Sequence, residues 1–415
     1  MAQRQKQQLR PGSVIGMTML FSAVSQGFGR FSYALVIPAL IRTTLHSVAL
    51  AGTLGTVNVG AYLLGSITVT VVSKRVGPAT LIRLGLVLST AGILTFAASN
   101  AFWLFALAMV AAGFGGALIW IPSPGIAASA VVGNRKAWAM GMTGAGIGLA
   151  ITFSGQVARV LTKLPGLWSW KALWLIEGLI AIVALGAAFG PLRRVNYAMP
   201  GADSGIGVQD SASRDGLASE PEPVRVKVPG RTLLTLIYMV YGLVQGVFLT
   251  FVVTALERDH SYSAGSASFI FAIVGFFSIF GGIMSGRISD RISNRAAVIG
   301  VAFVAMALAC YSITNGSLAE VIPGAVLYGL GMSGIPNLVA AHLGDHLPPQ
   351  GFAAAFALVT LFFGIAQAVG PQIGGLLEVH SGSFRLEYYL LGGFSLLGAG
   401  LSFGLNLAGR SPRQS

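Results

Sequence analysis

Charged side chains are scarce in this sequence. Asp, Glu, Lys and Arg make up 9% of its 415 residues, whereas a soluble domain carries about 25%. Hydrophobic residues make up 54%, and apolar runs of the length that spans a bilayer, about 20 residues, recur along nearly the whole chain. A surface this poor in charge cannot face water over its full extent. The sequence therefore predicts a polytopic membrane protein in contact with the lipid bilayer.

Cysteine is almost absent as well. Cys310 stands alone, which excludes an internal disulfide and a site built from several thiolates. The sequence also lacks HExxH, CxxC, GxSxG and GxxxxGK[ST] patterns, so we expect no enzyme activity, no metal and no cofactor. A receptor would need an added soluble domain, for which only a 40-residue stretch is available. The net charge of +13 is spread over short loops, which disfavours nucleic acid as a partner.

The long apolar runs lack the period-2 alternation of barrel strands, so the spanning elements are expected to be α-helices. Residues 191–230 are rich in Ser, Gly, Pro and mixed charge, a composition typical of a linker. We expect an N-terminal six-helix bundle in 1–190, the linker in 191–230 and a C-terminal six-helix bundle in 231–415. The twelve spans are placed at 13–41, 48–72, 79–98, 101–127, 137–161, 171–190, 231–256, 265–286, 297–315, 318–341, 351–377 and 386–409.

The Lys and Arg residues indicate the orientation. On this map 19 of them lie on the side of the termini and the linker, and five lie on the opposite side. Because positive charge accumulates in cytoplasmic loops, both termini and the linker are expected in the cytoplasm of a bacterial cell, with the helices in its cytoplasmic membrane.

The two halves repeat one another. Several residues recur 216 positions later, and Gln26-Gly27 recurs as Gln245-Gly246 at an offset of 219. A near-constant offset over several spans predicts a duplicated bundle with a binding site between the copies, near the membrane midplane. The pairs at 216 are Arg75 and Arg291, Gly113 and Gly329, Gly115 and Gly331, Gly148 and Gly364, and Gln156 and Gln372.

A loop motif points to a family. Residues 286–295 read GRISDRISNR, which resembles the G-x-x-x-D-[RK]-x-G-[RK]-[RK] signature of the major facilitator superfamily. In this loop, Ser293 stands where the signature has Gly, and Asn294 stands where it has Arg or Lys. The first-half loop, TVVSKRVGPA at 70–79, is degenerate, with Lys74 in place of the acid. The resemblance implies two six-helix bundles that alternate in access. It also implies a conformational latch at Gly286, Asp290, Arg291, Arg295, Arg75 and Gly77, although these charges could instead only mark the cytoplasmic boundary.

Two further patterns are similar to branches of that superfamily. QGFGRFSY at 26–33 resembles the G-R-F-x-Y first span of a poorly characterised bacterial branch. GMTGAGIGLAITFSG at 141–155 is similar to the fifth-span motif of proton-driven exporters, but it lacks their Gly-Pro pair, which occurs instead as Gly370-Pro371. Close helix packing through small residues is therefore the better interpretation of 141–155.

Arg30 is the only charged residue from Val14 to Ile41. A cation within the membrane costs several kcal/mol unless it faces a cavity or a partner. Arg30 could bind an anionic substrate, or it could pair with Glu177, the acid we place inside a span. Arg159–Glu177 is the competing ion pair. The polar residues expected to line the same site are Gln26, Tyr33, Gln245, Asn337, Gln367 and Gln372, each of which could instead bond helix to helix.

These features favour a secondary active transporter that moves a small organic anion, expected to be a carboxylate, by alternating access. Proton coupling, with Glu177 as the candidate group, is left open. The alternative is a multidrug-type efflux transporter for amphipathic compounds, which the lone Arg30 disfavours for cations but not for neutral compounds.

Overall fold

The computed structural model describes residues 10–73, 75–132, 135–163, 168–194, 230–347 and 349–409, and the elements within these ranges are helices. The predicted linker falls almost entirely outside the described residues. Fourteen α-helices are present in the described ranges: α1 (Pro11–Ser22), α2 (Tyr33–Leu40), α3 (Val48–Val72), α4 (Pro78–Ala98), α5 (Phe102–Trp120), α6 (Ser123–Ser129), α7 (Lys136–Leu161), α8 (Trp168–Phe189), α9 (Arg231–His260), α10 (Ala264–Ile292), α11 (Arg295–Asn315), α12 (Leu318–His346), α13 (Pro349–Ser381) and α14 (Arg385–Gly409).

Eleven helical stretches in the described part of the chain are long and apolar enough to cross a membrane. The predicted all-α class is therefore confirmed. One of the eleven covers Phe102–Ser129, where α5 and α6 are separated by a bend at Ile121 and Pro122. Proline is expected at such a bend, because its ring lacks the backbone N–H that a continuing helix would use.

The remaining predicted span, which is the first in the chain, corresponds to an interrupted helix over residues 11–45, called here the first segment. Between α1 and α2 lies a π-helix, Ala23–Phe31, and a second π-helix, Ile41–Leu45, follows α2. In the first of these the Ser32 backbone N–H donates to the Gly27 carbonyl, five residues back, at 2.8 Å. The prediction of one regular helix over 13–41 is therefore wrong in detail, because π-helical turns interrupt the segment. π-Helical turns occur often at functional sites, and this one contains Arg30.

The helices pack in the same order in both halves. In the first half α3 packs on α5 and α4 packs on α8, and in the second half α10 packs on α12 and α11 packs on α14. Among the described residues, the most extensive contacts between the halves are α3 with α13, α7 with α10, and α2 with α9.

The contacts of the repeated glycines follow the sequence repeat. Gly113 lies against the carbonyl oxygen of Asn58, and Gly329 lies against that of Val274, 216 residues later. Gly148 on α7 meets Ile279 on α10. The equivalent Gly364 on α13 meets Leu63 on α3, and these partners are again 216 residues apart. These matched contacts support duplication of one helical unit.

Successive crossings place the loops on two faces. The terminal face carries Ser73, Ser293 and Leu347, at the ends of α3, α10 and α12. The opposite face carries the turns after the first segment, α9 and α11. On the topology predicted from charge, the terminal face is cytoplasmic.

The contact between α3 and α13 predicts that a side chain larger than that of glycine at position 52 destabilises the protein. A Cβ at this position of α3 would overlap the Pro371 carbonyl oxygen on α13, whereas a Cβ at Gly60 of the same helix would meet no atom within 4 Å. We expect Gly52→Ala to lose about 1–3 kcal/mol of stability through overpacking, and Gly60→Ala to lose none, since alanine favours a helix. Thermal denaturation in detergent measures both. Equal Tm values for the two variants would contradict the packing described here.

Candidate functional site

Arg30 is held by glutamine side chains from three parts of the fold. Its Nη1 donates to Gln26 Oε1 in the same segment at 3.0 Å, and its Nη2 donates to Gln367 Oε1 on α13. Gln367 Nε2 in turn donates to Gln245 Oε1 on α9 at 2.6 Å. Gln245 and Gln367 lie near the middle of their helices, so this polar chain crosses the interface between the halves close to the middle of the membrane.

Neither ion pair considered from the sequence is formed. Glu177 is buried, and its two oxygens accept hydrogen bonds from Ser154 Oγ at 2.7 Å and Ser32 Oγ at 2.9 Å. The Arg159 guanidinium lies over the Phe269 ring at 4.6 Å. Within the described ranges Arg30 forms no salt bridge with any Asp or Glu.

Two aromatic rings flank the guanidinium. Its central carbon lies 5.4 Å from the centroid of Phe31 and 5.0 Å from that of Tyr62 on α3. At these distances the ring faces attract a cation. Phe31 directly follows Arg30 in the sequence. Tyr62 was missed, because the span around it offers no charge or motif to single it out.

The side chains around Arg30 enclose a cavity of about 30 Å³ between the halves. This volume suits roughly one or two water molecules, so the site is closed around Arg30 in this conformation. Its walls come from the first segment, α3, α5, α9 and α13. Polar residues that line it are Arg30, Tyr33, Asn58, Gln245, Thr250 and Gln367.

The remaining sequence candidates divide into three groups. Tyr33 lines the cavity and donates its hydroxyl to the Ala51 carbonyl at 3.0 Å. Gln372 accepts from Thr53 Oγ1 at 2.7 Å, which places it on the α3–α13 contact. Asn337 is exposed and lies against Gly282 of α10, so the structure does not bring it to the cavity.

Two buried polar atoms near Arg30 have no hydrogen-bond partner within the described ranges. One is the amide nitrogen of Gln26, and the other is Oδ1 of Asn58. The Asn58 amide nitrogen donates to the carbonyls of Gly29 at 3.0 Å and Met109 at 3.1 Å. Because buried polar groups are nearly always paired, the Gln26 amide can donate either to the nearby Tyr62 hydroxyl or to a ligand.

The GRISDRISNR loop forms an ion-pair network at the terminal face. Arg295 Nη1 contacts Asp290 Oδ1 at 2.8 Å, and Arg295 Nε contacts Asp345 Oδ2 on α12 at 2.6 Å. Asp345 was not expected in this network.

Of the other predicted latch residues, Arg291 and Arg75 are exposed, and they form no salt bridge within the described ranges. Gly286 lies within α10, and Gly77 precedes α4. The network joins α10, α11 and α12.

The two departures from the loop signature have structural roles. Ser293 has φ of 52°, in the left-handed region that favours glycine, which accounts for the usual Gly at this position. Asn294 precedes α11, and its side chain accepts from the Ala297 N–H at 3.0 Å. It therefore acts as an N-cap where the signature has a base.

At the opposite face, an ion pair joins the two halves. Arg42 Nη1 in the first segment contacts Glu257 Oε2 on α9 at 2.8 Å. Nearby, Arg258 of α9 contacts Glu378 of α13 at 2.7 Å. Both arginines belong to the five basic residues that the sequence assigns to the face opposite the termini.

Helices packed in this order around a polar mid-membrane site form the major facilitator fold. The chain shares this fold with a bacterial homologue of the human lysosomal transporter Spinster, solved in an inward-facing and occupied conformation. The TM-score is 0.76 at 15% identity, over 96% of this chain and 97% of that one. Residues 22–403 match the family described as "Uncharacterised MFS-type transporter YbfB". The chain belongs to this family, and it is a multi-pass membrane transporter and not an enzyme.

Two characterised relatives are similar in sequence. The gentisate transporter of Corynebacterium glutamicum is 25% identical over 91% of this chain and 84% of its own length. The human glucose-6-phosphate exchanger SLC37A1 is 31% identical over 40% of this chain. That second match spans only 33% of the exchanger.

The contacts of Arg295 predict a local effect on the α10–α11 turn. Each partly exposed ion pair contributes about 0.2–1 kcal/mol, so Arg295→Gln is expected to speed amide hydrogen exchange in residues 289–297 by about twofold to tenfold. Mass spectrometry of the exchanging peptides measures this. Arg291→Gln, which changes an exposed arginine in the same turn, serves as the control. The network described here would be contradicted by equal exchange in the two variants.

Proposed function

We propose that this transporter moves a small organic anion, and specifically a carboxylate, across the bacterial cytoplasmic membrane. The observation that carries the proposal is the guanidinium of Arg30, which lies at the interface of the halves without a carboxylate partner in the described part of the chain.

The chemistry of the guanidinium favours a carboxylate. It is permanently charged and presents paired N–H donors that match the two oxygens of a carboxylate. In the closed site two of these donors contact neutral amide oxygens of Gln26 and Gln367. A carboxylate that replaced one of them would also neutralise a charge that the membrane disfavours. The unpaired amide of Gln26 supplies a further donor.

The surroundings of Arg30 favour a planar anion. Phe31 and Tyr62 present rings on two sides of the guanidinium, and such rings can stack on an aromatic substrate. One relative is named for gentisate, an aromatic carboxylate. This name supports aromatic carboxylates as the first compounds to test.

Transport by alternating access follows from the arrangement of the halves. We propose that the bundles 1–190 and 231–415 rock about the Arg30 site, with both termini in the cytoplasm. The Arg42–Glu257 pair closes the opposite face, and the Arg295 network acts as a latch at the terminal face. Arg295→Gln is therefore expected to change the transport rate, and a rate equal to that of Arg291→Gln would argue against the latch.

Proton coupling through Glu177 is part of the proposal. Its carboxylate joins the first segment, α7 and α8 through the two serine hydroxyls. The Ser32 hydroxyl also lies 2.6 Å from the Phe28 carbonyl, and its one proton can serve only one acceptor. Protonated Glu177 would donate to Ser32 Oγ and free that proton for Phe28, so protonation would change the hydrogen bonds of the segment that carries Arg30.

The central test is flux through Arg30 variants in proteoliposomes. With benzoate as the probe, Arg30→Ala is expected to weaken apparent affinity about tenfold to a hundredfold, since hydrogen bonds to charged groups contribute about 1.5–3 kcal/mol. Arg159→Ala, which removes a cation that lies over a ring, is the matched control. Benzamide and benzylammonium test neutral and cationic cargo. If they moved as fast as benzoate, and equally in both variants, the efflux alternative would replace the anion proposal.

Coupling at Glu177 has its own test. With an inward pH gradient imposed, benzoate uptake by Glu177→Gln is expected to lose its stimulation by the gradient, because glutamine cannot exchange a proton. Ser154→Ala removes one hydrogen bond to Glu177 and keeps the carboxyl, so it should retain the stimulation. Uptake by Glu177→Gln that still responded to the gradient would place coupling elsewhere.

A further inference from the structure

A second buried carboxyl lies outside the Arg30 cavity, in the first turn of α14. Glu387 is 2% exposed, and within the described ranges neither of its carboxyl oxygens has a hydrogen-bond partner. Glu177, by contrast, accepts a hydrogen bond at each oxygen. The sequence did not single out Glu387, because it stands next to the predicted loop before the last span.

The carboxyl of Glu387 is enclosed by other helices of the second half. Gly374 of α13 lies so close that a Cβ there would be 3.1 Å from the Glu387 Cδ and Oε1 atoms. The same Cβ would be 3.1 Å from the Phe251 ring of α9. The absence of a side chain at Gly374 thus makes the space that the carboxyl occupies.

Within the described ranges no salt bridge offsets a negative charge at this position. The titratable groups around it are Asp259 on α9, Cys310 on α11, Glu378 on α13 and Tyr388 on α14. Glu378 forms a salt bridge with the nearby Arg258, with 2.7 Å between Arg258 Nη1 and Glu378 Oε1. Asp259 accepts from the Ser383 hydroxyl at 2.9 Å and the Phe384 N–H at 2.7 Å, so it offers Glu387 no donor.

These surroundings favour the protonated form of the Glu387 carboxyl. A buried carboxylate without a hydrogen bond or a counter-ion costs several kcal/mol, and such a group takes up a proton instead. Neighbouring carboxylates add repulsion to that cost. The neutral, protonated acid is the form that fits this conformation.

Glu387 is connected to the Arg30 site through α13. Gly374, which the carboxyl contacts, follows Gln367 by seven residues, so the two lie on one face of α13 and about 10 Å apart. Residues Pro371 and Gly375 of the same helix pack on α3 across the interface. A shift of α13 relative to α14 would therefore change the surroundings of Glu387 and the contacts of Arg30 together.

We propose that Glu387 is a proton-binding site of this transporter, separate from Glu177. It holds its proton in the conformation described here. When α13 moves away from α14, the carboxyl O–H bond breaks, the proton passes to water at the opposite face, and a carboxylate remains. Arg258, the salt-bridge partner of the neighbouring Glu378, is 42% exposed and lies at that face. The proposal rests on the transporter class and not on the chemistry of the cargo.

Infrared spectroscopy of the full-length protein in lipid nanodiscs tests this without any substrate. The wild type is expected to show the carbonyl stretching band of one protonated carboxyl that is lost in Glu387→Gln. Transfer to D₂O should shift that band, because the proton exchanges with water. The matched control is Glu320→Gln, which changes an exposed acid in the first turn of α12 and should keep the band.

Each alternative outcome overturns the proposal. A difference spectrum with carboxylate bands in place of the protonated carbonyl would show that Glu387 is ionised, and a band that never shifted in D₂O would show a proton sealed in the protein. Glutamine is a neutral isostere of the protonated acid, so Glu387→Gln should unfold within about 3 °C of the wild type. A variant that failed to fold would mean that the site requires the charge.

Discussion

A guanidinium without an ionic partner is the constraint on which the centre of this protein depends. Arg30 stays charged at any physiological pH, and the described chain offers it only amide oxygens and the faces of two rings. Such contacts stabilise a cation less than a carboxylate would. The π-helix around Arg30, the glutamines of α9 and α13, and the small closed cavity together accommodate the charge while leaving it unneutralised.

The fold could largely be predicted from the sequence, because the constraint there is long and repetitive. Every spanning stretch must satisfy its own backbone hydrogen bonds in lipid, so apolar runs alone place the helices. The contacts of Gly113 and Gly329 even follow the offset read from the chain. What the apolar pattern could not show was the change in helical pitch at Ala23–Phe31, since π-turns leave no periodicity of their own in so short a stretch.

The site was predictable only in part. Gln26, Gln245 and Gln367 were found because a polar side chain in an apolar span is conspicuous, and the structure brings all three together with Arg30. Asn337 is equally conspicuous but lies elsewhere, since the face of a helix that meets the interface depends on packing and not on polarity. Tyr62 and Glu387 were missed for the opposite reason. Tyr62 resembles its apolar neighbours in the sequence, and Glu387 resembles the charged loop residue beside it.

The guanidinium of Arg30 is the proposed anion-binding group between the two halves. An experimental structure of the protein with benzoate, at a resolution that shows side chains, tests this most directly. We expect the carboxylate to lie on the Arg30 guanidinium, in place of the Gln367 carbonyl and beside the amide of Gln26. A salt bridge from Arg30 to an acidic side chain of the protein, with benzoate absent from the interface or bound elsewhere, would contradict the account.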